Sequence, residues 1–362
     1  MPQKAIPFWF MRGGSSRGPY FKRDDLPTDL EALSEVLIAV VGAGHELNID
    51  GIGGGAAVTT KVAMLSPSKL PGVDVDYFFA QVGVTEKIVD YKPTCGNILA
   101  GVGPAAIEMG LVAAQEGVTR VVINSVNTGA KVEAVIQTPG GHVSYLGDTE
   151  IAGVPGTSAP ISLLFMDVVG SSCGALFPTG NPIDVIDGVS VSCVDVAMPV
   201  VIGRAADFGI TGKESAAELD DNAALFEKIE AVRLKAGVLM GLGDVTKSVI
   251  PKFALLSEPT QAGCTIAARY FMPWKTHPSM AVTGAQCIAS CAVHPDTVAH
   301  GLAVVGEGSP LNVAIQHPSG EIDVLMDFTV DAGVFTLKTA GLLRTARLLA
   351  RGELMVPEGL GV

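Results

Sequence analysis

Along this chain, apolar residues mostly alternate with polar ones in short runs. At two places they crowd into stretches that are apolar on every side. The run at 5–22, AIPFWFMRGGSSRGPYFK, predicts strand, glycine-bearing turn and strand, a hairpin with a longer loop. A helix follows, capped by Thr28 or Asp29, with Leu30, Leu33, Leu37 and Ile38 as its apolar stripe and Gly42 as its stop. Residues 56–65 and 75–84 are rich in strand formers. The segment TCGNILAGVGPAAIEMGLV at 94–112 predicts a buried helix, because a helix that is apolar all round has no solvent face. Pro104 implies a kink in it. Short strands are expected at 119–126, 131–137, 142–147 and 161–169.

The second half repeats the plan. Residues 189–203 are strand-like and 214–238 predict one amphipathic helix. Strands are expected at 251–257 and 264–272, then a second all-round apolar helix over 280–294, stopped by Pro295. Strands at 311–317 and 321–330 are expected to close the sheet. Each half therefore holds strands, one buried helix and further strands. The alternation is not strict βαβ, so the class is α+β with mixed sheets. A boundary at LFPTGNPIDVID divides the chain into domains at 1–183 and 184–362, with the last strand or helix free to return to the first.

Composition narrows the function. The 362 residues include 24 Lys+Arg against 37 Asp+Glu, a net charge of −13, and no basic cluster. This excludes a general nucleic-acid binder and an anionic membrane surface as partner. No apolar run approaches the roughly 18 residues of a membrane span. The opening MPQKAIPFWFMRGG has no signal-peptide core, so a cytoplasmic protein is expected. Six cysteines, with no CxxC pair, read as reduced thiols.

Candidate chemistry is sparse. Cys95 stands where the first buried helix should begin, and a helix N-terminus favours a thiolate. The same residue also reads as a small buried hydrophobe. Lys61 lies on a predicted strand with Thr59 and Ala63 on its face. It is either a base facing a cavity or an outward-facing lysine. GIGGGA at 51–56 matches a dinucleotide fingerprint but is followed by β-patterned sequence. Its glycines read better as allowing close backbone approach. Cys287, Cys291 and His294 share one helix face without a fourth ligand and read as core, with no metal. Ser15 and Ser16, beside Arg12 and Arg17, could hold a carboxylate, as could the loop His317-Pro318-Ser319-Gly320. Each alone also reads as a plain turn.

Taken in order, MRGGSSRGPYF, DGIGGG with the strand of Lys61, TCGNILAGVGPAAIE, LFPTGN, VIPKFALLS, MAVTGA, HPSGE and LLRTARLL resemble the PrpF-type isomerases over essentially the whole chain. TCGNILAGVGP and LLRTARLL look most like the 4-oxalomesaconate tautomerases of gallate degradation. The resemblance implies the diaminopimelate-epimerase-like fold, two similar domains each with mixed sheets wrapped around a central helix. It implies no cofactor and no metal, and a small polycarboxylate substrate. A homodimer is left open.

Lys61 and Cys95 would be the acid/base residues. Substrate positions would fall on Ser15, Ser16 and Arg17, on Gly96 and Asn97, on His277, Ser279 and Met280, on Thr283, Gly284 and Ala285, and on His317 and Ser319. Epimerases of the wider superfamily start both central helices with a cysteine. Here Ala281 stands in the second place, which points to isomerisation instead of racemisation. Arg17 stands where lysine is expected. The alternatives are a methylaconitate, aconitate or 3-methylitaconate Δ-isomerase, a non-catalytic carboxylate-binding relative, or a cysteine hydrolase. The last would need a histidine near Cys95, and the sequence places none there.

Overall fold

The computed structural model describes residues 3–92, 94–151, 153–166, 168–331 and 334–360. The chain forms two compact units, Met1–Leu164 with Leu343–Val362, and Phe165–Leu342. The expected division at 183/184 falls inside the second unit, and the end of the chain belongs to the first.

In the first unit the hairpin strands Gln3–Gly13 and Ser16–Lys22 are followed in sheet order by Lys61–Pro67, Val75–Val82, Gly117–Ser125, Lys131–Thr138 and Pro160–Phe165. The long strand Val334–Pro357 comes next and pairs back onto the first strand, from Gln3 opposite Pro357 to Gly13 opposite Ala346. The strand order thus returns on itself, which removes the free edges.

The apolar helix of this unit occurs as two pieces, Gly96–Leu99 and Val102–Glu108, with Ile98, Leu99, Val102, Ala105 and Ala106 buried. The break at Ala100–Gly101 lies one turn before Pro104, which has no N–H for the Ala100 carbonyl. Outside the sheet, helix Leu30–Val41 is capped by the Asp29 carboxylate on the amides of Glu31 and Ala32, and ends at Gly42 with φ of 77°. Its buried stripe is Leu33, Val36, Leu37, Val40 and Val41, packed with Phe21, Val62, Met64 and Ala80. Leu30 is exposed and Ile38 half-buried, so the real stripe is rotated from the expected one.

In the second unit the sheet order runs from the start of Val334–Pro357 through Gly320–Asp331, Leu311–His317, Ile266–Phe271, Lys252–Ser257, Pro199–Arg204, Val189–Asp195 and Asp184–Ile186. Helix Val282–Val293 is buried at every position from Gly284 onward and packs with Val194, Tyr270, Ile315 and Met326. Helix Ala223–Leu239 covers another face of this sheet through Leu225, Ile229, Val232 and Ala236, against Val191, Val201 and Phe253.

Several expected elements come out differently. Residues 142–147 contain no strand. Residues 57–59 form a 3₁₀ turn, so the strand starts at Lys61 and Thr59 does not share a strand face with it. The segment 189–203 is two strands, turned at Ala197 with φ of 61°. The helix expected over 214–238 splits at Asn222, whose side chain caps the second piece by accepting from the Leu225 amide. The strand Val334–Pro357 has no counterpart in the alternation analysis.

Candidate active site

Lys61 opens its strand directly opposite Gln81, and its Nζ donates to Gln81 Oε1 at 2.6 Å. The same Nζ lies 5.4 Å from the centre of the Phe79 ring. Phe79 and Tyr77 follow Gln81 on one face of Val75–Val82, because alternate residues of a strand share a face. The Tyr77 hydroxyl reaches the Cys95 carbonyl at 3.5 Å. The face that carries Lys61 therefore leads to Cys95. Both residues are half-buried.

Cys95 is the N-cap of the first helical piece, in extended conformation, and its carbonyl accepts from the Leu99 amide at 2.9 Å. Two fully buried tyrosines flank it. Burial first, then the Cys95 thiol, push the hydroxyls of Tyr77 and Tyr20 well above the ordinary phenol range, so both stay neutral. Tyr20 also donates to the Ile98 carbonyl at 2.5 Å, fixing the helix against its strand.

The glycine turn of the hairpin lies on the same helix start. Asn97 Nδ2 donates to Ser15 Oγ at 3.1 Å. A Cβ on Gly13 would stand 2.5 Å from the Asn97 carbonyl oxygen, and one on Gly14 2.2 Å from Asn97 Oδ1. Only glycine permits this approach. Ser16 is buried, and its hydroxyl has no hydrogen-bond partner. Arg17 points away. It pairs with Arg12, whereas Gly13, Ser16 and Gly18 lie on the helix side.

The second unit gathers the remaining expected residues around the start of Val282–Val293. His277 Nδ1 accepts from the Ser279 amide at 3.0 Å, and His317 Nδ1 accepts from the Ser319 amide at 3.2 Å. Each neutral ring therefore carries its proton on Nε2. His317 Nε2 lies 3.5 Å from Ser279 Oγ, and Ser319 Oγ donates to the Pro278 carbonyl. Burial is the first cause that holds both imidazoles below their ordinary range. Thr283 Oγ1 faces Met198 Sδ at 3.8 Å, and Gly284 abuts the Tyr270 ring. The side chains of Met280 and Ala285 belong to the core.

Cys287 and Cys291 are buried in that core, where Cys287 Sγ donates to the Met198 carbonyl at 2.9 Å. Among the described residues no three His, Cys, Asp or Glu side chains are grouped to hold a metal. No helix among them is long and apolar enough to cross a membrane. Gln81, Phe79, Tyr77 and Tyr20 were not among the expected site residues. The signal available was a polar Gln at the two-residue spacing of two aromatics in VDYFFAQV.

Residues 3–357 match the family model described as PrpF protein. The chain is 49% identical over 352 residues to the (4E)-oxalomesaconate Δ-isomerase of Novosphingobium sp. strain KA1, covering 97% of this chain and 98% of that protein. It is 47% identical to the 4-oxalomesaconate tautomerase of Pseudomonas putida, covering 98% and 97%. It is 36% identical to the 3-methylitaconate isomerase of Eubacterium barkeri, covering 98% of both chains. The crystal structure of a methylitaconate Δ-isomerase superposes with a TM-score of 0.87 at 35% identity, covering 100% of this chain and 98% of that one.

Proposed function

This chain belongs to the PrpF family and is an isomerase, and on that premise we propose that it moves a proton on 4-oxalomesaconate or a close unsaturated keto-polycarboxylate. The observation that carries the assignment of roles is the continuous face from Lys61 through Gln81, Phe79 and Tyr77 to Cys95. The identity of 47–49% to the two oxalomesaconate enzymes, against 36% to the 3-methylitaconate isomerase, favours the oxalomesaconate reading over the methylitaconate one.

A C–H beside a carbonyl or carboxylate is acidic because its electron pair delocalises into an enolate. One group of the pair Lys61 and Cys95 takes that proton. The C–H electrons move into the conjugated system, and the other group gives a proton to a different carbon or to the oxygen. No electrons are gained or lost overall, and no cofactor is called on. The neutral tyrosines beside Cys95 do not compete as bases. The amides of Gly96 and Asn97 and the Ser15 hydroxyl supply donors for a carboxylate on one side. Within the second unit, His277, Ser279, Thr283, His317 and Ser319 are polar side chains gathered about the start of Val282–Val293. The six cysteines are free thiols, which fits the reducing cytoplasm, where we place the enzyme.

Proton NMR in deuterium oxide tests the reading, with 4-oxalomesaconate, aconitate, 3-methylitaconate and, as control, diaminopimelate. Deuterium should enter the product at the new C–H position with 4-oxalomesaconate. Epimerisation of the amino acid together with silence on every unsaturated acid would sink it.

A further inference from the structure

We propose that Asn127 is a positioning residue for the proton transfer: it ties the strand face that aims Lys61 to the segment that leads into Cys95, and so fixes the two groups relative to each other. The proposal rests on the reading of Lys61 and Cys95 as the pair that moves the proton.

Asn127 lies in the turn between the strands Gly117–Ser125 and Lys131–Thr138. The Gly129 amide closes that turn on the Ser125 carbonyl at 2.7 Å, with Gly129 at φ of 73°. From there the Asn127 side chain reaches back to Val75–Val82. Its Oδ1 accepts from the Phe79 amide at 2.8 Å, and its Nδ2 donates to the Phe79 carbonyl at 2.9 Å. The same Nδ2 donates to the Tyr91 carbonyl at 2.6 Å. Only one orientation of the amide meets these partners, since an N–H needs an acceptor and each carbonyl needs a donor.

The bonds fill a gap in the sheet. The register of Val75–Val82 with Gly117–Ser125 ends at Tyr77 opposite Ser125, and its register with Val89–Asp90 starts at Gln81 opposite Asp90. Phe79 lies between. Asn127 gives its N–H and C=O the partners that a neighbouring strand supplies elsewhere. The residue so held is the one whose ring stands 5.4 Å from Lys61 Nζ. It sits between Gln81, which accepts from Nζ, and Tyr77, which reaches the Cys95 carbonyl.

The other end of the tie is Tyr91, four residues before Cys95. The Tyr91 ring stacks on Phe78 at 5.2 Å while its carbonyl is held by Asn127. Ser125, at the start of the same turn, holds the next point, with its Oγ 3.1 Å from Thr94 Oγ1. One turn therefore grips both the strand of Phe79 and the approach to Cys95. The neutral amide of Asn127 moves no proton itself and acts only through Phe79 and Tyr91. A shift of about 1 Å between reacting groups can cost roughly a hundredfold in rate.

The test uses the full chain and the variants Asn127→Ala and Asn127→Asp. The aspartate keeps an acceptor for the Phe79 amide and loses both donors. Without substrate, amide hydrogen exchange read by mass spectrometry should speed up together in segments 78–82 and 89–92, and stay at the parent rate in Lys252–Ser257 of the second unit. With 4-oxalomesaconate in deuterium oxide, kcat should fall roughly 10- to 100-fold with KM little changed. The proton taken from carbon exchanges with solvent while it sits on the base. In a misaligned pair it returns to the same carbon more often than the partner group completes the shift. Deuterium found in unreacted substrate, per molecule of product and above the enzyme-free rate, should therefore rise severalfold over the parent. A smaller folded fraction would lower both rates equally and leave that ratio unmoved. An unchanged ratio, or faster amide exchange in only one of the two segments, would overturn the proposal. A parent enzyme that places no deuterium in any unsaturated acid would overturn the reading of Lys61 and Cys95, and the role of Asn127 with it.

Discussion

Lys61 and Gln81 face each other across two antiparallel strands, and the lysine nitrogen donates to the amide oxygen at 2.6 Å. The amide cannot turn over. Gln81 Nε2 donates to Thr60 Oγ1 at 3.1 Å and to the carbonyls of Val82 and Ala57, both at 3.2 Å. A neutral acceptor aims the lysine without setting a second charge beside it. Gln81→Met keeps the volume and removes the acceptor. It should lower kcat about tenfold, the loss of one hydrogen bond to a charged group, with KM little changed. A purely structural glutamine would leave kcat unchanged in a folded Gln81→Met protein.

Cys95→Ala should cost roughly 10²- to 10⁴-fold in kcat, the usual contribution of a positioned acid or base. The fold should survive, because the thiol is half-buried and caps no amide. Urea unfolding and the deuterium-exchange assay, run on the same preparation, separate the two effects. Full activity in a folded Cys95→Ala protein would make the thiol structural.

Lys61→Arg should be as inactive as Lys61→Ala, because a guanidinium does not release its proton at neutral pH. Steady-state turnover of both variants is the measurement. An active Lys61→Arg enzyme would assign Lys61 to carboxylate binding alone.

His277, His294 and His317 are all held below the ordinary imidazole range, with burial the first cause in each. A lowered folded-state pKa means that the unfolded chain binds the proton more readily. Stability is therefore full above the ordinary value of about 6.5 and falls as the pH drops below it. Urea midpoints should decrease between pH 7.5 and pH 5. His317→Gln should make that decrease shallower.

Arg233 is fully buried on helix Ala223–Leu239. It makes a two-pronged pair with Glu230 at 2.7 and 2.8 Å and donates to the carbonyls of Val245 and Ser248. Arg233→Ala should destabilise the protein by about 2–4 kcal/mol, since the buried Val245 carbonyl and the half-buried Ser248 and Glu230 oxygens lose their donor together. Equilibrium urea unfolding checks it, and Arg233→Lys should recover only part of the loss.

The sequence by itself determined the elements whose cause is local. The hairpin at 5–22 shows in its alternation around Gly13-Gly14. The two buried helices show because their residues are apolar on all sides, and Pro104 marks the interruption of the first. Cys95 was visible as a helix-start thiol for the same reason. Tertiary structure alone decided what depends on distant pairing. The strand Val334–Pro357 carries charges and two glycines, Gly341 and Gly352, that hide its alternation. Its extended form comes from Gly320–Asp331 on one stretch and Gln3–Gly13 on another. Lys61 found Gln81 only because their strands lie in register, 20 residues apart in sequence. Arg17 stands abreast of Arg12 and Arg347 because the register of three strands, one of them distant in the chain, brings them together.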